Sequence, residues 1–318
     1  MKQIAIIGAG NWGTALSIVA ARAGHNVKLW SRASPRYLRS ELSPANIRAT
    51  NDLAEALHDA SSVLFAAPSH AARELLTAAS PLLVEEAIIV SVAKGIEIET
   101  GKRISEIAKE VAGAHPFVCL SGPSFAKEVI AGHPTAIVAA SKDNAAARAV
   151  QNDLSFENLR IYTNADVIGA ELGGSVKNVM AIAAGMATGL GFGSNSLAAL
   201  ITRGLAEMTR LARREGAQIE TLMGLAGLGD LVLTCTGNLS RNRFVGEELG
   251  KGRTLAEITA GMNEVAEGIN TARAVKQLAD RANLEMPITN EVNAVLYHGK
   301  PARDAVAELM SRPLREEI

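Results

Sequence analysis

A glycine-rich hexapeptide near the start of the chain constrains the fold more than any other feature. Gly8-Ala9-Gly10-Asn11-Trp12-Gly13 follows the apolar segment Gln3–Ile7 and opens the amphipathic stretch Trp12–Ala23. Between a strand and a helix, this spacing is typical of a dinucleotide-binding turn, in which the glycines permit a tight turn, a close pyrophosphate and close helix–strand contact. The alternative is an ordinary glycine-rich turn. The pattern predicts a dinucleotide site on Gly8, Gly10 and Gly13, with the phosphates at the helix N-terminus.

Short apolar runs alternate with amphipathic stretches through the first half of the chain. Most runs lack polar alternation, as expected when helices cover both faces of a parallel sheet. The alternation predicts a doubly wound, Rossmann-like α/β domain over residues 1–163. The predicted strands are Gln3–Ile7, Asn26–Trp30, Ser62–Ala66, Ala87–Val92, Phe117–Leu120, Thr135–Ala140 and Leu159–Tyr162, and the predicted helices are Trp12–Ala23, Ala71–Ala79, Gly101–Ala112, Phe125–Ala131 and Asn144–Leu154.

Helical patterns fill the remainder of the chain. Thr163-Asn164-Ala165-Asp166 is typical of a helix start, because a hydroxyl precedes a carboxylate by three residues. We therefore predict an all-α domain over residues 164–318 that packs against the first domain without a linker. The predicted helices are Asp166–Ala187, Leu197–Arg214, Arg241–Leu249, Leu255–Ala260, Thr271–Ala282, Asn290–Tyr297 and Ala302–Met310.

Composition excludes several classes of protein. The 32 Lys and Arg balance 33 Asp and Glu, whereas a nucleic-acid-binding protein needs an excess of basic residues. Cys119 and Cys235 cannot form a disulfide framework and lack metal-ligand spacing, so we expect no metal site. The apolar run Val179–Phe192 is shorter than the ~20 residues of a membrane span, which predicts a packed helix and no integral membrane segment. We expect a cytoplasmic protein that binds a small molecule.

The end of the second predicted strand bears on the choice of cofactor. Rossmann proteins that prefer NAD place an acidic residue there to bind the ribose 2′-hydroxyl, but no Asp or Glu lies between Gly8 and Glu41. Arg32 occupies this region, where a guanidinium can pair with a 2′-phosphate. The sequence therefore favours NADP(H) over NAD(H), with NADH as a possible substitute. A solvated loop residue is the alternative interpretation of Arg32.

Further motifs carry the chemistry. Ala93-Lys94-Gly95 follows a predicted strand, where the ligand crevice of an open α/β sheet forms. Together with the glycine-rich turn, these motifs resemble those of the bacterial NAD(P)-dependent glycerol-3-phosphate dehydrogenases, in the same order and from Ile4 to beyond Pro287. Thr234 and Asn178 lie in the matching motifs without a firm role. The other motifs are Ser121–Glu128, Gly173–Asn178, Gly227–Leu231 and Ser240–Arg243.

The resemblance implies a reaction and a set of site residues. The reaction is the reversible, NAD(P)H-dependent reduction of dihydroxyacetone phosphate to sn-glycerol 3-phosphate, which feeds glycerophospholipid synthesis, and the resemblance also implies a homodimer. Lys177 matches the family's proton donor and acceptor. Cofactor-binding positions match Asn11, Trp12, Arg32, Lys94, Ala126, Arg241, Val265 and Glu267, and substrate-binding positions match Lys94, Gly122, Ser124, Asp230, Ser240, Arg241 and Asn242.

Elementary chemistry agrees with these roles. Ketone reduction leaves negative charge on the carbonyl oxygen, so a proton donor must lie beside it. Burial of Lys177 and the second cation of Lys94 would lower the pKa of Lys177, whereas Asp230 would raise it, and the sequence leaves the balance open. Alternatively, Lys177 extends from a core helix to water. Ser240-Arg241-Asn242 opens a helix and predicts a phosphate site, since helix N–H groups and a guanidinium both bind phosphate.

Two other functions stay open at this point. One is a reductase of another small hydroxy acid or phosphorylated ketone. The other is a non-catalytic NADP(H) sensor, which would keep the glycine-rich turn but lose Lys177 or Asp230. The chain also departs from the family between Arg32 and Thr50, where a Tyr-Leu-Pro-Gly-like turn is missing and the segment is short. That departure bears on cofactor preference.

Overall fold

The structure is a computed structural model that describes residues 1–32, 44–262, 266–314 and 316. Eight strands in its first half form one sheet with the spatial order β3-β2-β1-β4-β5-β6-β7-β8. The predicted Rossmann-like α/β fold is therefore confirmed. The strands are β1 (Gln3–Ile7), β2 (Asn26–Trp30), β3 (Ile47–Thr50), β4 (Ser62–Phe65), β5 (Ile88–Ser91), β6 (Phe117–Ser121), β7 (Thr135–Ala140) and β8 (Leu159–Asn164).

Helices cover this sheet and form the regular structure of the described residues beyond Asn164. Those within the first half are α1 (Asn11–Arg22), α2 (Leu53–Leu57), α3 (Ala72–Ala79), α4 (Ile104–Ala112), α5 (Ala126–Ile130) and α6 (Asn144–Leu154). Those of the second half are α7 (Val167–Gly189), α8 (Ser194–Arg214), α9 (Ile219–Met223), α10 (Asp230–Thr236), α11 (Arg241–Gly250), α12 (Leu255–Ala260), α13 (Glu267–Arg281), α14 (Pro287–His298) and α15 (Ala302–Met310).

One pair of strands departs from the parallel arrangement that the apolar strands indicate. β6 and β7 pair antiparallel, whereas the other neighbours pair in parallel. A parallel connection requires a crossover of a dozen or more residues, usually built on a full helix. Antiparallel neighbours can be joined without such a crossover, and the connection between β6 and β7 contains only the five-residue helix α5.

Several short elements are absent from the sequence prediction. Strand β3 lies at the edge of the sheet, and its side chains are exposed or half-buried, so it lacks the apolar run of the central strands. Helices α2, α9 and α10 and the π-helical turn Leu225–Gly229 each span seven residues or fewer. Elements of this length carry only a weak helical period in the sequence.

The two faces of strand β1 show why this sheet needs helices on both sides. Ile4 and Ile6 pack into one apolar cluster, Ala5 and Ile7 pack into another, and all four are fully buried. Full burial of a large apolar side chain stabilises the folded state by about 1.5–3 kcal/mol. Since neither face of the strand is polar, a helical layer must cover each one, as the continuous apolar run predicts.

Helix α7 is the centre of the helical half. It is long and apolar enough to span a membrane by length and composition alone, but 94% of its most apolar window is buried inside the protein. This confirms the prediction of a packed helix. Two glycines bring α7 and α11 into contact, because a Cβ on Gly185 or Gly246 would lie 2.0 Å from a carbonyl oxygen of the other helix.

The glycine-rich turn between β1 and α1 has the form that its sequence predicts. Gly8 adopts a φ of +117°, and a Cβ there would lie 2.7 Å from the carbonyl oxygen of Ala66. A Cβ on Gly13 would lie 1.9 Å from the carbonyl oxygen of Gly8, whereas a Cβ on Gly10 would meet no described atom within 4 Å. The first and third glycines are therefore required by packing, and the second leaves open space at the helix N-terminus.

These contacts predict different effects for two alanine substitutions in one turn. Gly13→Ala should destabilise the fold by about 3 kcal/mol or more, at the upper end for overpacking a close-packed site. Gly10→Ala should change the melting temperature little, because its methyl group enters open space. Thermal unfolding of both purified variants beside the wild type is the measurement. Equal melting temperatures for the two variants would contradict the packing assigned to Gly13.

Candidate active site

One buried carboxylate lies between two lysines at the junction of the sheet and the helical half. Helix α7 places Lys177 Nζ 2.5 Å from Oδ1 of Asp230, and the segment after β5 places Lys94 Nζ 2.8 Å from Oδ2. The side chains of Asp230 and Lys177 are 1% and 6% exposed, and that of Lys94 is 19% exposed. The three charges therefore form a network that is largely removed from water.

Burial dominates the ionisation of Lys177. Desolvation is the largest influence, the positive charge of Lys94 acts in the same direction, and the attraction of Asp230 opposes both. The net result lowers the pKa of Lys177 from 10.5 to about 8. Desolvation therefore outweighs the attraction of Asp230, a balance that the sequence alone does not determine. With this pKa, the ammonium can exchange a proton near neutral pH. The interpretation of Lys177 as an amine that extends to water is wrong.

Helix α10 holds the partners of Lys177 in register. Asp230 is the first residue of α10, and Thr234 lies one turn later on the same face. Thr234 Oγ1 accepts a hydrogen bond from Lys177 Nζ at 2.8 Å and donates one to the Asp230 carbonyl oxygen at 2.6 Å. Thr234 is therefore a site residue. In the sequence, its spacing of four residues from Asp230 is the feature that indicates this role.

A chain of buried amides connects the active-site segments. Asn178 Nδ2 donates to the carbonyl oxygen of Lys94 at 3.0 Å, and Asn178 Oδ1 accepts from Asn242 Nδ2 at 2.9 Å. Asn242 Oδ1 in turn accepts from the backbone N–H of Gly268 at 2.9 Å. Much of the hydrogen-bonding capacity of Asn242, a predicted substrate ligand, is therefore used within the protein, where it fixes α11 relative to α7 and α13.

The start of α11 combines a helix N-terminus with a guanidinium. Ser240 is the N-cap, and its Oγ accepts from the backbone N–H of Arg243 at 3.2 Å. Arg241 is the first residue of the helix and is exposed. Since the first turn reads Arg-Asn-Arg-Phe, it carries no acidic side chain that would repel an anion. Helix N–H groups and arginine together are suited to phosphate.

The loop after β6 contributes backbone groups to the same region. The carbonyl oxygen of Gly122 accepts from Lys94 Nζ at 2.9 Å and from Ser124 Oγ at 3.1 Å. Gly122 has a φ of +132°, and a Cβ there would lie 3.0 Å from the Ile137 backbone. A glycine is therefore needed for this carbonyl to hold Lys94. Ala126 begins helix α5 at the end of the loop.

The residues of the predicted cofactor site have defined surroundings. The N-terminus of α1 faces the open space beside Gly10, and its first turn, Asn-Trp-Gly-Thr, is uncharged, so the region fits a pyrophosphate. Arg32 is exposed and pairs with Glu74 at 2.7 Å. Glu267 Oε1 accepts from the backbone N–H of Ser69 at 2.9 Å, and burial raises the pKa of Glu267. Val265 lies outside the described residues.

Comparison with known proteins places the chain in a family. Residues 3–147 match the model of the NAD-dependent glycerol-3-phosphate dehydrogenase N-terminus, and residues 166–307 match that of the C-terminus. The chain belongs to the NAD-dependent glycerol-3-phosphate dehydrogenase family. Membership confirms the resemblance seen in the sequence, the assignment to the oxidoreductases and the prediction of an NAD(P) cofactor.

Individual relatives match this chain over nearly their full length. A glycerol-3-phosphate dehydrogenase (NAD(P)+) of Koribacter versatilis is 51% identical, with 100% of this chain and 99% of the relative covered. A protein of the same name from Citrifermentans bemidjiense is 50% identical, with 99% of each chain covered. The crystal structure of glycerol-3-phosphate dehydrogenase from Coxiella burnetii superimposes with a TM-score of 0.94 at 41% identity, covering 98% of this chain and 99% of that one.

The fold brings together the predicted catalytic lysine and most of the predicted substrate-binding residues. Lys94, Gly122, Lys177 and Asp230 are joined by direct hydrogen bonds. Asn242 reaches Lys94 through Asn178, whose role the sequence left uncertain. Arg32 is not part of this hydrogen-bonded group. Its guanidinium forms an ion pair with a surface glutamate, a contact that the sequence does not predict.

Proposed function

We propose that the chain catalyses the reversible, NAD(P)H-dependent reduction of dihydroxyacetone phosphate to sn-glycerol 3-phosphate, with Lys177 as the proton donor. The observation that carries this proposal is the buried Lys177 ammonium, whose pKa of about 8 suits proton exchange near neutral pH. A protein that only sensed NADP(H) would have no use for this arrangement. The product is suited to glycerophospholipid synthesis.

The chain's own residues account for the proton and charge movements. Bound nicotinamide cofactor supplies the hydride in reduction and accepts it in oxidation. Lys177 gives a proton to the developing alkoxide during reduction and takes it back during oxidation, while Asp230 and Thr234 hold its Nζ in place. Lys94 carries a second positive charge, which stabilises the negative charge on the reacting oxygen.

The substrate is held at its far end by the start of α11. Ser240 and Arg241 bind the phosphate, and Asn242 positions this turn through its bonds to Asn178 and Gly268. Gly122 and Ser124 lie beside Lys94 and contribute to the reacting end. Binding energy from the non-reacting phosphate orients the carbonyl toward the proton donor.

The cofactor is held along the carboxyl ends of the strands. Gly8, Gly10 and Gly13 admit its pyrophosphate to the N-terminus of α1, beside Asn11 and Trp12. Arg32 pairs with the 2′-phosphate, so NADPH is preferred and NADH is accepted. The remaining contacts are Lys94, Ala126, Arg241, Val265 and Glu267.

We also propose a two-domain organisation and a homodimer. Residues 1–163 form the dinucleotide-binding domain and residues 164–318 the helical domain. In support, β8 ends within one residue of this boundary, at Asn164, and α7 begins at Val167. The homodimer is proposed from the family resemblance of the sequence. The two cysteines are buried free thiols, which fits a reducing cytoplasm.

The substrate phosphate provides the test of this function. The wild type should oxidise NADPH with dihydroxyacetone phosphate and should barely use dihydroxyacetone. Arg241→Ala should lower kcat/KM for the phosphorylated ketone by about 2–4 kcal/mol, roughly 30- to 1000-fold, the scale for loss of one partner of a close charge pair. The decrease in kcat/KM for the unphosphorylated ketone should be much smaller. If both ketones lose activity equally, Arg241 does not bind the phosphate and the substrate proposal fails.

The ion pair between Arg32 and Glu74 provides a test of cofactor preference with two opposite outcomes. Arg32→Ala should weaken NADPH binding about 10- to 150-fold, the scale for a hydrogen bond to a charged group, and should leave NADH binding nearly unchanged. Glu74→Gln should tighten NADPH binding up to about fivefold, since an exposed ion pair that competes for Arg32 is worth at most ~1 kcal/mol. Titration with both cofactors measures this. Equal losses for NADPH and NADH in Arg32→Ala would refute the assignment.

A further inference from the structure

Two contacts of the same chemical kind join the helical half to the sheet half. Oε1 of Glu267, the first residue of α13, accepts from the backbone N–H of Ser69 at 2.9 Å, and Oε2 accepts from Ser69 Oγ at 2.7 Å. On α7, Glu171 accepts from the backbone N–H and Oγ of Ser105 at 2.7 and 2.6 Å. We call these the Ser69–Glu267 clamp and the Ser105–Glu171 clamp. Each combines one glutamate with both donors of one serine.

The Ser69–Glu267 clamp packs directly against the segment that carries Lys94. A Cβ on Gly95 would lie 2.2 Å from Ser69 Oγ and 2.5 Å from Glu267 Oε2. Since Gly95 follows Lys94 in the chain, the clamp fixes one side of this segment. Asn178 fixes the other side through its bond to the Lys94 carbonyl oxygen.

The same clamp reaches the phosphate end of the site through the next residue of α13. The backbone N–H of Gly268 donates to Asn242 Oδ1 at 2.9 Å, and Asn242 is the second residue of α11. The positive charge of Arg241 also acts on the Glu267 carboxylate. The start of α13 therefore contacts both the Lys94 segment and the turn that carries Arg241.

We propose that Ser69 is a positioning residue for the reaction. By holding Glu267, it fixes the start of α13 and thereby the spacing between Lys94 at the reacting end and Arg241 at the phosphate end. This inference rests on the proposed function, because it presumes a substrate that spans these two groups. The Ser105–Glu171 clamp joins α4 to α7 through the same two serine donors, although its glutamate also accepts from Arg103. None of these bonds reaches Lys94 or the start of α11, so this clamp serves as the structural contact for comparison.

The experiment compares Ser69→Ala with Ser105→Ala in the full chain. Each substitution removes one hydroxyl bond to a glutamate and keeps the backbone N–H bond, so both should lower the melting temperature by similar amounts. Only Ser69→Ala should lower kcat/KM for dihydroxyacetone phosphate, by roughly 10- to 100-fold and mainly through kcat, the scale for a small misplacement near the reacting atoms. Ser69→Thr keeps a hydroxyl and should restore most of the rate.

Three results would overturn the inference. They are wild-type kcat and KM in Ser69→Ala, equal kinetic losses in the two alanine variants, and a threonine variant with the kinetics of the alanine variant despite a wild-type melting temperature. In each case the clamp would contribute to stability alone. Failure of the wild type to reduce dihydroxyacetone phosphate would instead contradict the proposed function, so the two failures are distinguishable.

Discussion

The Asp230 carboxylate, shared between two ammonium groups, is the interaction on which the rest of the site depends. A buried charge is costly unless it is paired and hydrogen-bonded. Asp230 pairs with Lys177 through one oxygen and with Lys94 through the other. Its negative charge stabilises the two neighbouring ammonium groups against their mutual repulsion. Without this carboxylate, Lys177 would face both desolvation and the repulsion of Lys94. The lowered but still useful pKa of Lys177 is the balance of these effects.

The fold delivers these three groups from separate elements. Lys94 follows a strand of the sheet, Lys177 lies within the central helix α7, and Asp230 begins α10 after a π-helical turn. Glycines permit the close approach, since a Cβ on Gly173 would lie 2.4 Å from the carbonyl oxygen of Ala226. π-helical turns occur frequently at functional sites, and here the turn leads directly into Asp230. Packing around α7 thus determines the position of the charges.

Local sequence patterns predicted most of the helices and strands. The features that they did not predict depend on contacts between residues far apart in the chain. The glycine-rich turn and the continuous apolar strands depend on neighbouring residues, and the structure confirms them. Edge strand β3 and the antiparallel pairing of β6 and β7 depend on partners that periodicity does not show. The pairing of Arg32 with Glu74 likewise joins residues from two separate βα units.

The sequence predicted which residues form the site better than it predicted the contacts between them. Matching motifs brought Lys177, Asp230 and Lys94 to attention, but the pKa of Lys177 depends on burial, which only the packed structure determines. The bonds of Asn242 to Asn178 and Gly268 were also beyond sequence reasoning. They cross between helices and give this residue a positioning role in addition to any contact with substrate.

The pH dependence of kcat/KM tests the central claim most directly. Reduction needs the Lys177 ammonium, so kcat/KM for dihydroxyacetone phosphate should be level below pH ~8 and fall tenfold per pH unit above it. Oxidation of glycerol 3-phosphate needs the neutral amine, so its kcat/KM should rise to a plateau above the same pH. Asp230→Asn removes the attraction and should move both limbs to lower pH. Limbs near pH 10.5, or limbs unmoved in Asp230→Asn, would contradict the account.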